Sequence, residues 1–285
     1  MLIETHAHLD YADFAEDFDG VLARAAEAGV SRIISIGTSV ESSRSAVALA
    51  EKHAQVFAVI GVHPCSADEA GADFISELRE LARNPRVVAI GETGLDYHRL
   101  PSRQLLEPTP AWLAETPLND PNEVHGAIRD GAYKASQAEV FQQQLELAVE
   151  LGLNVVVHER DAWEDTVELL RPYSGRLRAV FHCFGKSAEQ AQELIALGHL
   201  VSFTGIVTFK NAHAVQQCAA QVPDAAFMVE TDCPYLAPTP HRGKRCEPAH
   251  VRIVAEKIAA LRGQSLANVA AQTTSTAEAF FRFPR

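Results

Sequence analysis

No run among the 285 residues approaches the roughly 20 consecutive apolar positions that a membrane-spanning helix needs, so no membrane partner is expected. The start, Met1-Leu2-Ile3-Glu4-Thr5-His6, enters a strand pattern at once, without the basic-then-apolar order of a secretory signal, which predicts a cytoplasmic protein. Cysteine is scarce. The five residues Cys65, Cys183, Cys218, Cys233 and Cys246 are odd in number, scattered and without a Cys-x-x-Cys, so neither a disulfide framework nor a zinc-thiolate cluster is indicated. Positive charge is also short, with 25 Lys and Arg against 37 Asp and Glu, a net charge of -12. That balance argues against a protein that coats nucleic acid through many phosphate contacts. It leaves room for a phosphate-bearing substrate, because several negatives could be metal ligands and bound cations invert the local electrostatics. One basic cluster, His241-Arg242-Gly243-Lys244-Arg245, follows Asp232 in a proline-rich loop and is either an anion receiver or a solvated turn.

What is present is a repeating alternation. Strand-like runs lie at Leu2 to Thr5, Arg32 to Ile36, Val56 to Val62, Val87 to Glu92, Asn154 to His158, Ala179 to His182, Leu200 to Phe203 and Phe227 to Thr231. Amphipathic segments such as Phe14 to Ala28 and Ala138 to Leu151 lie between them, several closed by a glycine. Eight strand-helix units in one chain of this length predict a single (β/α)8 TIM-like barrel over residues 1–285, with helices Pro248 to Leu261 and Leu266 to Phe281 packed on it. A doubly wound open sheet is the competing architecture, but it would spread the chemistry-bearing strands along a row. One stretch, approximately 99–135, breaks the rhythm with several prolines and little periodicity, and reads as a long insertion after the fourth strand. It predicts a lid, an oligomer contact or a mobile insertion, and its His125 is either a metal neighbour or a solvated loop histidine.

Five of the runs end on residues able to hold a divalent cation: His6 and His8, Glu92, His158, His182 and Asp232. Uncompensated burial of such groups is costly, so repeated placement at strand ends points to a metal centre rather than to packing. In extended backbone, residues two apart face the same side, so His6 and His8 can share a cation. Glu92 has two oxygens and can bridge two ions. The set divides into His6, His8 and Asp232 for one site and His158 and His182 for a second, with Glu92 shared and positions left open for water and substrate. Two divalent ions are therefore expected. The nitrogen-rich ligands favour Zn, Mn, Co or Ni over Mg.

The segments Thr5-His6-Ala7-His8-Leu9-Asp10, Gly61-Val62-His63-Pro64, Gly91-Glu92-Thr93-Gly94-Leu95-Asp96-Tyr97, His158-Glu159-Arg160-Asp161-Ala162, His182-Cys183-Phe184, Thr204 to Asn211, and Glu230-Thr231-Asp232 through Arg245 run the length of the chain. In this order they resemble the signature segments of the TatD-type deoxyribonucleases of the amidohydrolase superfamily. The resemblance implies a TIM-like barrel with a divalent-metal site that hydrolyses phosphodiester bonds, often as an exonuclease on single-stranded DNA or RNA. Its ligand positions match the six residues above, and its additional active-site histidine matches His63. Glu159, Cys246, the shortened segment after Phe184 and the insertion after Asp96 depart from the family pattern.

From these residues we expect a nuclease acting on single-stranded nucleic acid ends, with no obligate protein partner. Asp232 would orient the nucleophile and take its proton or serve purely as a ligand, and His63 would donate to a phosphate oxygen or the leaving alkoxide or else only cap a loop. Arg242, Lys244 and Arg160 are candidates for neighbouring phosphates, and Tyr97 either stacks on a base or is simply packed. Two rivals are a metal-dependent hydrolase of amide, ester or lactone bonds, including aminoacyl-tRNA esters, and a non-catalytic metal-binding interaction protein.

Overall fold

A computed structural model describes residues 1–104 and 121–284, without the side chains of 103–104 and 121–128. The strands are β1 (Leu2–Ala7), β2 (Val30–Ile36), β3 (Val56–Ile60), β4 (Val87–Asp96), β5 (Asn154–Arg160), β6 (Ala179–Phe181), β7 (Leu200–Phe203) and β8 (Phe227–Val229). The helices are α1 (Phe18–Glu27), α2 (Val40–Lys52), α3 (Phe74–Leu81), α4 (Pro101–Gln104), α5 (Pro121–Leu151), α6 (Trp163–Leu170), α7 (Ala188–Ala196), α8 (His213–Gln221), α9 (Val251–Arg262) and α10 (Leu266–Phe281). All strands pair in parallel and in sequence order from β1 to β8, the arrangement of a (β/α)8 barrel. Every residue of β1, β3 and β4 is buried, because helices cover a parallel sheet outside while side chains fill its interior.

The last seam closes just beyond β8. Ala7 bridges Cys233 in parallel, His8 N–H donates to Cys233 O at 2.9 Å, and Asp232 N–H donates to His6 O at 3.0 Å. The bonds that shut the barrel are thus made by the backbone of three expected ligands, which brings Asp232 beside His6 and His8.

Two of the register shifts in the ligand-bearing strands lie beside ligand positions. β1 shifts against β2 between Glu4 and Ala7, and β4 shifts against β5 between Ile90 and Thr93. Each accommodates an extra residue, as a β-bulge does, and such bulges re-aim side chains near functional sites. At the second, Gly91 (φ 138°) and Gly94 (φ 142°) bracket Glu92. A Cβ on Gly91 would meet Val156 O at 2.5 Å, and one on Gly94 would meet His158 O at 2.0 Å. The Gly-x-x-Gly spacing is therefore required for β4 to approach β5 while carrying a carboxylate between them.

The insertion is more ordered in its second part than its composition predicts. α5 starts at Pro121, a favoured first helical position, and runs unbroken into Ala138–Leu151. Residues 105–120, within the expected insertion, lie outside the described residues, and so does the side chain of His125. α5 reaches the mouth through two fully buried glutamines. Gln144 accepts from Val62 N–H at 2.8 Å and donates to Thr93 Oγ1 at 2.6 Å, while Gln137 accepts from Asp96 N–H at 2.9 Å. At the opposite end, α10 packs Phe280 and Phe281 against the barrel, and Phe283 lies 4.7 Å from Phe57. Among the described residues no helix is long and apolar enough to cross a membrane.

Candidate metal centre

Glu92, almost fully buried, stands among five imidazoles with its two oxygens facing different sides. Its Oε2 lies 3.3 Å from His6 Nε2 and 3.8 Å from His8 Nε2. Asp232 Oδ1 joins that side at 3.4 Å from His8 Nε2 and 3.7 Å from His6 Nε2. Glu92 Oε1 lies 2.8 Å from both His158 Nδ1 and His182 Nε2, which are 3.2 Å apart. The structure thus brings together all six residues in the two groups the sequence suggested.

Outer partners fix which atom of each ring faces inward. His158 Nε2 is 3.3 Å from Asp96 Oδ2, leaving Nδ1 toward Glu92. His182 Nδ1 faces Glu230 Oε1 at 3.6 Å, and Glu230 is itself held by Cys183 N–H at 2.6 Å and Ser202 Oγ–H at 2.6 Å. His8 Nδ1 is 3.4 Å from Ile36 O. With N–H groups directed outward, Glu92 Oε1, His158 Nδ1 and His182 Nε2 are three acceptors in mutual contact. Such a trio repels itself unless a proton or a cation lies among its members. Among the described residues, fully buried His6 has no hydrogen-bond partner for either ring nitrogen. A buried polar group left unpaired calls for an ion or water, and the donor set fits a divalent cation.

The electrostatics follow from this crowding. Burial disfavours charge on Glu92, yet His182, His63 and His6 hold its carboxyl well below the usual range. Burial likewise opposes charge on Asp232, and the hydrogen bond to His8 together with the nearby His6 and His182 lowers the carboxyl nonetheless. Both acids are therefore carboxylates at neutral pH, ready to act as ligands.

His63 differs from the other rings. Its Nδ1 accepts from Cys65 N–H at 3.0 Å, so the proton of the neutral imidazole resides on Nε2, 3.6 Å from Glu92 Oε1. Burial and the adjacent His158 push its pKa down to about 3. Proximity alone groups His63 with Glu92 and His158 as possible ligands, but an Nε2 that carries a hydrogen is a donor. His6, His182 and Glu230 are also close enough to form a group. Glu230, with both oxygens already bonded, serves there as the outer partner of His182.

The group opens into a cavity of about 770 Å3 that His63, Arg99, Arg160 and Lys186 help to line. Three expectations change here. Tyr97 does not offer a stacking face: it is buried, its hydroxyl donates to Asp165 Oδ2 at 2.7 Å, and Lys134 Nζ lies 4.2 Å from its ring centre. Arg242 and Lys244 do not line the cavity. The Arg242 guanidinium lies over Phe209 at 4.1 Å, while the neighbouring Arg245 is anchored on Asp17 at 2.7 Å. Lys186, which pairs with Glu159 at 3.2 Å, supplies positive charge at the rim instead. Sequence reasoning also missed Asp96 and Glu230 as orienting groups, although both stand inside the ligand-bearing segments, and it missed Tyr11 and Tyr235 at the mouth.

Comparison with known proteins agrees with this arrangement. Residues 3–282 match the family described as TatD related DNase. YabD of Bacillus subtilis, named an uncharacterized metal-dependent hydrolase, is 36% identical over 99% of both chains. A protein of Erwinia tasmaniensis named 3'-5' ssDNA/RNA exonuclease TatD is 32% identical over 98% of this chain and 99% of its own. The crystal structure of YjjV, a TatD homologue from Escherichia coli, superposes with a TM-score of 0.82 at 26% identity, covering 99% of this chain and 98% of that one. Matched along nearly its whole length in sequence and in fold, the chain belongs to the TatD-related DNase family of metal-dependent hydrolases.

Proposed function

We propose that this hydrolase cleaves phosphodiester bonds at the ends of single-stranded nucleic acid, using two divalent cations. The observation that carries the reading is the divided carboxylate of Glu92, with one oxygen toward His6, His8 and Asp232 and the other toward His158 and His182. His6, His8, Asp232 and Glu92 Oε2 would hold one ion, and His158, His182 and Glu92 Oε1 the other. The imidazole-rich set favours Zn, Mn, Co or Ni over Mg. Bound there, such ions supply Lewis acidity toward a phosphoryl oxygen and lower the pKa of water.

The chain's own groups do the rest. Asp232, ionised and at the seam, accepts the proton of the attacking water through a carboxylate oxygen. His63 presents its Nε2–H to a non-bridging oxygen of the scissile phosphate, or to the departing alkoxide. Arg160 and Lys186 at the rim meet the next phosphate of the strand. The relative from Erwinia tasmaniensis named as a single-strand exonuclease supports the choice of polymer.

The test is a metal-by-substrate panel on native protein and Glu92→Ala. Single-stranded DNA and RNA, bis(p-nitrophenyl) phosphate, carboxylic esters and lactones serve as substrates, with bound metal measured in parallel. The native protein should hold two ions and prefer phosphodiesters, and Glu92→Ala should lose both ions and the activity. Full phosphodiesterase activity in Glu92→Ala overturns the bridging role, and preference for a carboxylic ester overturns the substrate class.

A further inference from the structure

Among the described residues, Met1 and Tyr235 are the large hydrophobic side chains that stand exposed, and Tyr235 lines the mouth of the cavity with 54% of its surface open. It does not stand alone. Tyr11, also lining the cavity, stacks on the His8 ring at 4.9 Å and 20°, and Tyr235 meets Tyr11 nearly edge-on at 6.2 Å and 81°. Tyr11 thus has one face covered by a candidate ligand, while Tyr235 stands upright beside it, its ring centre 6.5 Å from that of His8.

A phenol ring held upright by a neighbour and open to water is a poor arrangement for packing and a good one for stacking. Leaving so much aromatic surface in water forgoes its burial energy, which a flat apolar occupant would recover. The spacing matters as well. A ring within one nucleotide's reach of the scissile position is where a base joined to the attacked phosphate would lie, and every base has a π-face to offer whatever its sequence.

We propose that Tyr235, braced by Tyr11, is the stacking platform for the base of the nucleotide next to the scissile phosphate, the role the sequence suggested for Tyr97. This rests on the phosphodiesterase reading above and adds the subsite that makes the enzyme prefer a base-bearing end. Tyr235 here is a specificity residue. It touches the base and takes no part in proton transfer.

The experiment compares manganese-loaded native protein, Tyr235→Phe and Tyr235→Ala on single-stranded tetranucleotides whose terminal nucleotides carry a base or are abasic. With base-bearing ends, Tyr235→Ala should raise KM about tenfold and leave kcat within about twofold, since stacking acts on binding. Tyr235→Phe should behave as native because the ring, not the hydroxyl, is used. With abasic ends all three proteins should be alike, each with the weakened KM. A terminal 2-aminopurine should be quenched on binding to the native protein and to Tyr235→Phe, and much less so with Tyr235→Ala. Equal KM for Tyr235→Ala and native protein on base-bearing ends, or the same penalty on abasic ends, overturns the platform while the nuclease reading stands. A native protein that cleaves no tetranucleotide overturns both.

Discussion

The two halves of the candidate metal centre are built by different means. On the β4–β6 side, His158 and His182 stand near the ends of β5 and β6, and each faces an outer carboxylate, Asp96 or Glu230, which is in turn held by backbone N–H groups. On the β8–β1 side, among the described residues, the ring nitrogens of His6 have no hydrogen-bond partner, and His8 Nδ1 has a carbonyl at 3.4 Å. What holds this second half is the barrel seam itself, through the backbone bonds of His6, His8 and Asp232. One half is therefore flanked by outer carboxylates and the other held by ring closure, and only Glu92 belongs to both. Outer-shell partners set ring orientation and ligand basicity, so the β4–β6 half should keep its geometry without an ion better than the seam half.

The most severe way to test this is to alter what the halves share. Glu92→Gln keeps the shape and removes the charge, and kcat/KM for a phosphodiester should fall on the order of a thousandfold, as when groups acting as a unit are broken. Metal analysis should then show both ions lost or weakened. Loss of one ion with the other unchanged would show that the carboxylate serves a single site.

A lesion confined to the seam half comes next. Asp232→Asn should release one ion while His158 and His182 keep theirs, with a loss in kcat/KM of about a hundredfold, within the range for removing a positioned proton acceptor. Counting ions per chain by mass spectrometry separates this from a general collapse. Release of both ions would mean that the halves are not independent.

The β4–β6 half can be weakened without touching a ligand. Asp96→Asn leaves His158 in place but takes away the charge that orients it, and affinity for one of the two ions should drop roughly tenfold to a hundredfold. Competition with a chelator, followed one ion at a time, reads this directly. Among the described residues the seam half has no equivalent outer carboxylate to remove, so an equal loss of both ions in Asp96→Asn would erase the proposed asymmetry.

Much of this difference was open to sequence reasoning and some was not. Strands buried on both faces leave continuous apolar runs such as Val155-Val156-Val157, so eight strands and their order could be read, and ring closure followed from counting them. β4 runs on to Asp96, beyond the expected end at Glu92, because Gly94 does not turn the chain there but allows a close approach to β5. The early start of α5 was hidden by Gly126 and Gly131, each worth about 1 kcal/mol against helix, and by the lack of a sustained apolar stripe. The six ligand candidates were legible because an imidazole or carboxylate that ends an apolar strand is costly to bury unless a partner or a cation compensates it. Asp96, Glu230 and Tyr235 were not, because their roles arise only from contacts to residues distant in sequence or from exposure. Tyr97 was misplaced for the same reason, since Asp165 and Lys134, which occupy it, are far along the chain.

The smallest effect concerns the seam alone. Thr5 is buried in β1, and its Oγ1–H donates to Val229 O at 3.0 Å across the β1–β8 gap, just short of the first backbone closing bond. Thr5→Val keeps the shape and deletes that bond, so global stability should fall by about 1 kcal/mol, the usual net worth of one such bond. If ring closure rather than side-chain orientation holds the seam half, the same change should also loosen the ion held by His6, His8 and Asp232 by a few-fold, leaving the other ion untouched. Denaturant titration of the metal-free chain gives the first quantity, and metal competition gives the second. A stability loss that leaves both ions equally tight would mean that the seam holds Asp232 by other bonds, and that the backbone pairs of His6 and His8 with residues 232 and 233 suffice without Thr5.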